Sequence, residues 1–370
     1  MDDALESLLG SLRKSQRTVI TLVVEALASL RQAASISIAL VVAQRTGCRV
    51  PSALIRFYRL LHNPRIDDLA ISRRMLSLLG QRTSPVVLAL DWTEWHSNLR
   101  VLSASAAMGT RAVPVYVAAF CKTRILRSQN AWEESFLEIL GLLLREAGVT
   151  ACFLADRGFR RVAFIRILLK QSGHTFVVRL VEKVTVETAR RSTTLQKWGL
   201  TAGQAVDLGW VKLRQHDAVE VRVVGLWKRG AREPWWLATN ADLPLGRLAA
   251  LYDRRMAIEE QFRDTKGGRF GFALVWTQLT APAALARFLL LLGVTIFIMT
   301  AVGQAIVEER PDIRLPCKIK GPRLSLLHVA LLWGPAFARS SPLSTRFIVE
   351  HLPPPVLRDF AWLNKFEKAS

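Results

Sequence analysis

Three features of the sequence predict an α/β fold. Apolar residues recur at helical spacing through roughly the first 80 residues. After QRTSP at 81–85, short continuous apolar runs alternate with amphipathic helical stretches. Between 181 and 248 apolar and polar positions alternate, with turns between, which predicts a β-rich insertion. The expected organisation is a helical region at 1–80, a mixed α/β region at 81–180, a β-rich region at 181–248, a helical region at 249–308 and a helical C-terminal region at 309–370.

In chain order, VITLVVEALASLRQ, ISIALVVAQRTG and SALIRFYRLLHN read as helices, with Gly47 and Pro51 punctuating the second from the third. Basic residues recur among them, including Arg45, Arg49, Arg56, Arg59 and Arg65. Compact basic helices suit a helix-turn-helix DNA-binding module, and equally an ordinary bundle with a basic surface. Residues 86–91, VVLALD, read as a buried strand ending in a carboxylate. Residues 99–106 and 112–120 continue it as a meander around a turn at MGTR. A helix at 133–146, a second buried strand with a terminal carboxylate at 151–156, a helix at 160–170 and a strand at 175–180 follow. KVTVETA, AVDLGWVKL, AVEVRVVGLW and PWWLATN are the strands of the insertion, and LSLLHVALLW and STRFIVEHL are C-terminal helices.

The formal net charge of +21 points to a polyanionic partner, nucleic acid or an anionic membrane surface. Cys48, Cys121, Cys152 and Cys317 have neither zinc spacing nor disulfide-like density, which fits a reducing, cytoplasmic compartment. The opening MDDALESLLGSLRKSQ is acidic and then amphipathic, unlike a signal peptide. The uncharged tract FLLLLGVTIFIMTAV at 288–302 is 15 residues long, short of the ~20 needed to span a bilayer. It predicts a helix at 283–307 buried on all sides in a soluble domain.

Asp91 and Asp156 stand at the ends of buried strands, where a carboxylate is rarely found without a partner or a metal. The stretch 251–270, LYDRRMAIEEQFRDTKGGRF, reads as one helix. At about 100° per residue it places Tyr252, Arg255, Glu259 and Lys266 on one stripe roughly 60° wide, with Glu260 about 100° away from Glu259. Asp91, Asp156 and Glu259 form a set of acidic oxygen donors of the kind that selects Mg²⁺ or Mn²⁺. Trp198, Trp210, Trp227, Trp235 and Trp236 lie amid basic residues in the insertion, each either packed or free to stack on a base. The histidines sit in apolar settings and read as packed residues, His96 being left unassigned.

The spacing Tyr252, two residues, Arg255, three residues, Glu259, six residues, Lys266 resembles the YREK signature of insertion-sequence-four-type DDE transposases. LALDWTE around Asp91 resembles that family's first-aspartate motif, departing from it at Trp92 where a small residue is usual. ADRGF around Asp156 resembles the second, FVVRL at 176–180 the strand after it, and WLATN at 236–240 the end of the β insertion. HNPRID at 62–67 is also similar to the family. The resemblance covers roughly residues 50–370.

It implies a ribonuclease H-like mixed sheet flanked by helices, with Asp91, Asp156 and Glu259 as catalytic triad and metal ligands. Two Mg²⁺ or Mn²⁺ ions about 3.5–4 Å apart would clamp the attacking and leaving oxygens of an in-line phosphoryl transfer. Tyr252, Arg255 and Lys266 would hold DNA phosphates near the scissile bond. The implied reaction is cut-and-paste transposition of an insertion sequence. Hydrolysis frees a 3′-hydroxyl, a hairpin forms and opens, and the end is transferred to target DNA. The implied partners are terminal inverted repeats, target DNA and a second copy of the chain in a synaptic dimer, without a membrane. The implied place is the bacterial cytoplasm at the nucleoid. Three other readings stay open: a related nuclease or resolvase without strand transfer, an inactive remnant that only binds DNA, and a membrane protein built on 288–302.

Overall fold

The computed structural model describes residues 2–30, 32–95, 98–122, 129–214, 218–267, 272–313, 324–340 and 343–367. His96, His216, Cys317 and the end of the 251–270 stretch lie outside them. Five helices open the chain: α1 (Asp2–Leu9), α2 (Lys14–Leu30), α3 (Ser35–Thr46), α4 (Val50–His62) and α5 (Asp68–Gly80). Gly47 ends α3 at a φ of 69°, a left-handed conformation that glycine adopts without strain. Asp67 caps α5 by accepting from the Ala70 N–H at 2.9 Å.

The central part alternates strands and helices. It runs through β1 (Val86–Trp95), β2 (Leu99–Met108), β3 (Arg111–Cys121), α6 (Gln129–Ala147), β4 (Ala151–Ala155), α7 (Val162–Lys170) and β5 (Thr175–Leu180). The β-rich segment supplies β6 (Thr185–Glu187), β7 (Ser192–Thr194), β8 (Ala205–Arg214), β9 (Val219–Leu226) and β10 (Trp235–Thr239). Six helices follow: α8 (Leu245–Asp253), α9 (Met256–Lys266), α10 (Pro282–Glu309), α11 (Leu326–Ser340), α12 (Thr345–Glu350) and α13 (Asn364–Glu367).

All ten strands join one mixed sheet in the order β3-β2-β1-β4-β5-β10-β9-β8-β6-β7. The pairs β1–β4 and β4–β5 are parallel and the others antiparallel. The fold is thus mixed α/β, a sheet flanked by helices. The β-rich segment is not a separate layer: its last strand returns to pair with β5, and the others extend the sheet outward. Two expectations need correction. Strand β1 does not stop at Asp91 but runs to Trp95, because β2 pairs with it along 88–95. The helix expected over 251–270 is two helices, broken at Arg254 and Arg255.

The apolar stretch near the end forms α10, buried along nearly all of its 28 residues. It is long and apolar enough to cross a membrane, yet 94% of its most apolar window is buried inside the protein. Its glycines allow close approach: a Cβ at Gly293 would meet the Pro114 carbonyl oxygen of β3 at 2.3 Å. A Cβ at Gly303 would meet the Leu326 carbonyl oxygen of α11 at 2.0 Å. The N-terminal helices share this core, Phe57 of α4 meeting Phe288 edge-on at 5.4 Å.

Arg287, 6% exposed, fastens α10 to the N-terminal helices. Its Nε donates to Asp68 Oδ1 at 2.8 Å and one terminal nitrogen donates to the Leu61 carbonyl oxygen at 2.8 Å. Replacement by methionine keeps the bulk but takes the donors away from the Asp68 carboxylate and the Leu61 carbonyl. Arg287→Met is expected to lower the unfolding free energy by about 3 kcal/mol, read from urea denaturation.

Candidate active site

Strand register brings the two aspartates together. In the parallel pair β1–β4 the last partners are Leu90 and Ala155, so the next residues, Asp91 and Asp156, emerge side by side. Neighbouring strands lie about 4.8 Å apart. Beyond Ala155 the chain leaves the sheet: Asp156 Oδ1 accepts the Gly158 N–H at 2.7 Å and caps a single 3₁₀ turn over Arg157–Phe159. A Cβ at Gly158 would lie 2.8 Å from that same oxygen, so glycine is what lets the turn close on the carboxylate.

The third carboxylate comes from α9. At the break before it, i→i+3 hydrogen bonds link Leu251 to Arg254, Tyr252 to Arg255, Arg254 to Ala257 and Arg255 to Ile258. This tighter local winding carries the Arg255 side chain between the strands and α9. One guanidinium nitrogen lies 3.3 Å from Asp91 Oδ2, and the other donates to Glu259 Oε1 at 2.8 Å. The charge of Arg255 also interacts with Asp156. Asp91 and Glu259 thus share one half-buried cation, whose charge Asp156 also feels. Glu260 faces away, paired with Arg111 at 3.3 Å and Arg263 at 3.1 Å.

Burial pushes the Asp91 carboxyl from 3.8 up to about 6, against the pull of Arg255 and with the push of Asp156 and Glu259. Burial works against the Arg255 charge too, but Tyr252 and the three carboxylates outweigh it and hold its pKa above the ordinary value. Burial raises Tyr252, whose ring packs edge-on against Trp235 of β10 at 4.9 Å. Lys266 is not at the carboxylates. Its Nζ donates to Thr93 Oγ1 at 2.6 Å and to the Glu94 carbonyl at 2.8 Å, on the strand that carries Asp91. Burial lowers its pKa against the attraction of Glu94.

No protein-family model matches the chain, and no curated protein matches it. The chemistry is therefore read from the geometry alone. Among the described residues, no three His, Cys, Asp or Glu side chains stand together in a way that could hold a metal as they are. The guanidinium of Arg255 takes the place between Asp91 and Glu259 where a cation is wanted. The donor set itself, carboxylate oxygens alone, suits Mg²⁺ or Mn²⁺.

Several supporting residues carry no motif. Ser103, Ser105 and Gln261 form a buried hydrogen-bonded chain, at 2.9 and 2.7 Å, that ties β2 to α9. Arg111 of β3 donates to Asp264 at 2.8 Å. Trp92 donates its indole N–H to Glu133 at 2.9 Å. The sequence reading passed over Glu133; the signal that marks it is its place on the apolar stripe of α6 with Phe136, Leu137, Leu140 and Leu144. Of the tryptophans in the β-rich segment, Trp236 is buried and Trp210 is exposed. Trp198 lies under the Arg191 guanidinium at 3.5 Å. Trp227 donates to the Ala231 carbonyl at 3.0 Å.

A carboxylate whose folded pKa is raised contributes stability that is present below its unfolded pKa and lost as pH rises through its folded pKa. For Asp91 that window runs from about 4 to about 6. Without divalent ions, wild-type stability is expected to carry a decline of up to about 3 kcal/mol across it that Asp91→Asn lacks. Denaturant titrations of both proteins at a series of pH values measure this difference.

Proposed function

We propose that the chain is a DDE-type DNA transposase built on a ribonuclease H-like core. The observation that carries this reading is the convergence of Asp91, Asp156 and Glu259, far apart in sequence, on Arg255. The architecture supports it. A three-strand antiparallel meander, two parallel strands and a β excursion before the acidic helix are the arrangement that the YREK resemblance implies.

Bound to the three carboxylates, two Mg²⁺ or Mn²⁺ ions would polarise the scissile phosphate and activate the attacking oxygen. The protein's own groups orient and exclude. Asp91 accepts the Trp92 N–H on one oxygen at 2.8 Å and turns the other toward Arg255 at 3.3 Å. Arg255 is the nearest cation for a phosphate, and a guanidinium grips phosphate in a two-pronged way. Lys266, tied to β1, supplies a point charge along the same edge. Tyr252, buried against Trp235, fixes the break that aims Arg255.

The N-terminal helices offer the second DNA surface. Helices α3 and α4 are joined by only Gly47, Cys48 and Arg49. Helix α4 exposes Ile55, Arg56, Tyr58, Arg59 and His62 along its outer face. A short turn leading into an exposed helix that carries Arg56, Arg59 and His62 suits entry into a major groove. The net charge of +21 supplies the attraction. The partners in this reading are the ends of a mobile DNA element, a target duplex and a second copy of the chain.

Asp156→Asn should lower Mn²⁺-dependent nicking of supercoiled plasmid at least about 100-fold while DNA affinity stays within about twofold of wild type. Loss of DNA binding by a folded variant would remove the carboxylate from metal duty. Binding should fall roughly 10³-fold or more between 50 and 200 mM salt, measured by fluorescence anisotropy; a flat response would contradict phosphate contacts. Joining of a 3′-hydroxyl oligonucleotide end to plasmid separates a transposase from a plain nuclease.

A further inference from the structure

Glu133 is 1% exposed, an unusual place for a carboxylate. Two of the hydrogen bonds it accepts come from the two aspartate-bearing segments, and a third comes from its own helix. Oε1 accepts from the Trp92 indole N–H at 2.9 Å and from Gln129 at 3.0 Å. Oε2 accepts from an Arg161 guanidinium nitrogen at 2.8 Å, and the other terminal nitrogen of Arg161 reaches Glu134 at 3.3 Å. Trp92 directly follows Asp91, and its backbone N–H is the one that Asp91 Oδ1 accepts. Arg161 is the N-cap of α7, reached from Asp156 through the single 3₁₀ turn that Asp156 caps. The indole also packs against Phe120 at 5.6 Å, which leaves its N–H little choice of direction.

We propose that Glu133 is a positioning residue for the carboxylate site, clamping Trp92 beside Asp91 and Arg161 beyond Asp156 so that the two aspartates keep one separation. A buried ion pair is a poor source of net stability, since desolvation consumes most of its attraction. What it does supply is direction: two charged, short hydrogen bonds fix the segments on either side of the junction between β1 and β4. Strand pairing sets the aspartate backbones, but it stops at Leu90 and Ala155. Past that point the chains diverge, and Glu133 bridges them from α6. Trp92 belongs to this clamp, because only an indole among apolar side chains carries the N–H that Glu133 accepts.

The inference rests on the proposed metal-dependent reading of the site. It is tested with Glu133→Gln, which removes the charge at constant shape, and Trp92→Phe, which removes the indole N–H and keeps a ring. Three quantities are measured: Mn²⁺ affinity by calorimetry, plasmid nicking at saturating DNA, and DNA affinity by anisotropy. Each variant is expected to weaken Mn²⁺ binding and nicking about 10–100-fold with DNA affinity unchanged. The double variant is expected to lose clearly less than the sum of the two single losses, because both residues act through one carboxylate. A folded Glu133→Gln or Trp92→Phe protein with wild-type Mn²⁺ affinity and nicking overturns the clamp. So do losses that simply add in the double variant. If Glu133→Gln does not fold, as judged by circular dichroism, Trp92→Phe carries the test. Wild-type protein that binds no Mn²⁺ even with DNA overturns the metal reading together with the clamp, an outcome distinct from failure of the clamp alone.

Discussion

The parallel pairing of β1 with β4 is the constraint on which the rest of the site depends. Its register delivers Asp91 and Asp156 to one point, and it does so with backbone hydrogen bonds. Two carboxylates so placed repel, and a third from α9 adds to the repulsion. The protein answers with one guanidinium. Arg255 pairs with Asp91 and Glu259 where the chain tightens just before α9, and its charge also acts on Asp156. Helix α9 is in turn held by hydrogen bonds to β2 and β3, so the third carboxylate is referred to the same sheet as the other two.

Much of this was legible in the sequence, for definite physical reasons. Continuous apolar runs with a terminal carboxylate gave β4 and the start of β1, since a strand covered on both faces has no polar positions until it ends. The uncharged tract at 288–302 gave α10, because a helix apolar on every side has no face to leave in water. What sequence periodicity missed was the break between α8 and α9. Neither glycine nor proline marks it, and both Arg254 and Arg255 keep ordinary right-handed helical angles. Tertiary attraction of Arg255 for the carboxylates, not local propensity, accompanies the change in winding. Lys266 followed the helical stripe on paper, yet it lies on β1 rather than at the carboxylates. Glu133 was visible as a charge within an apolar stripe, but its partners Trp92 and Arg161 are distant in sequence and meet it only in the fold.

The β-rich segment also reads differently in three dimensions. In sequence it interrupts the core between the second and third carboxylates. In space it widens the sheet, because β10 closes the excursion by pairing with β5. Residues Trp235 and Trp236 then serve opposite faces. Trp236 is buried over Gly225, whose missing side chain makes room for the ring, while Trp235 packs on Tyr252. Strand β10 is thereby in contact with the helix that ends at the break before Arg255.

The burial of α10 has a consequence for biosynthesis. Its partners α2 and β3 are translated before it, whereas α11, which covers another side, is translated after. As α10 leaves the ribosome, part of a segment apolar enough to cross a bilayer faces water until the following residues arrive. A nascent chain in that interval resembles an export substrate. The surface that receives this helix is thus built in part by residues that precede it and completed by α11.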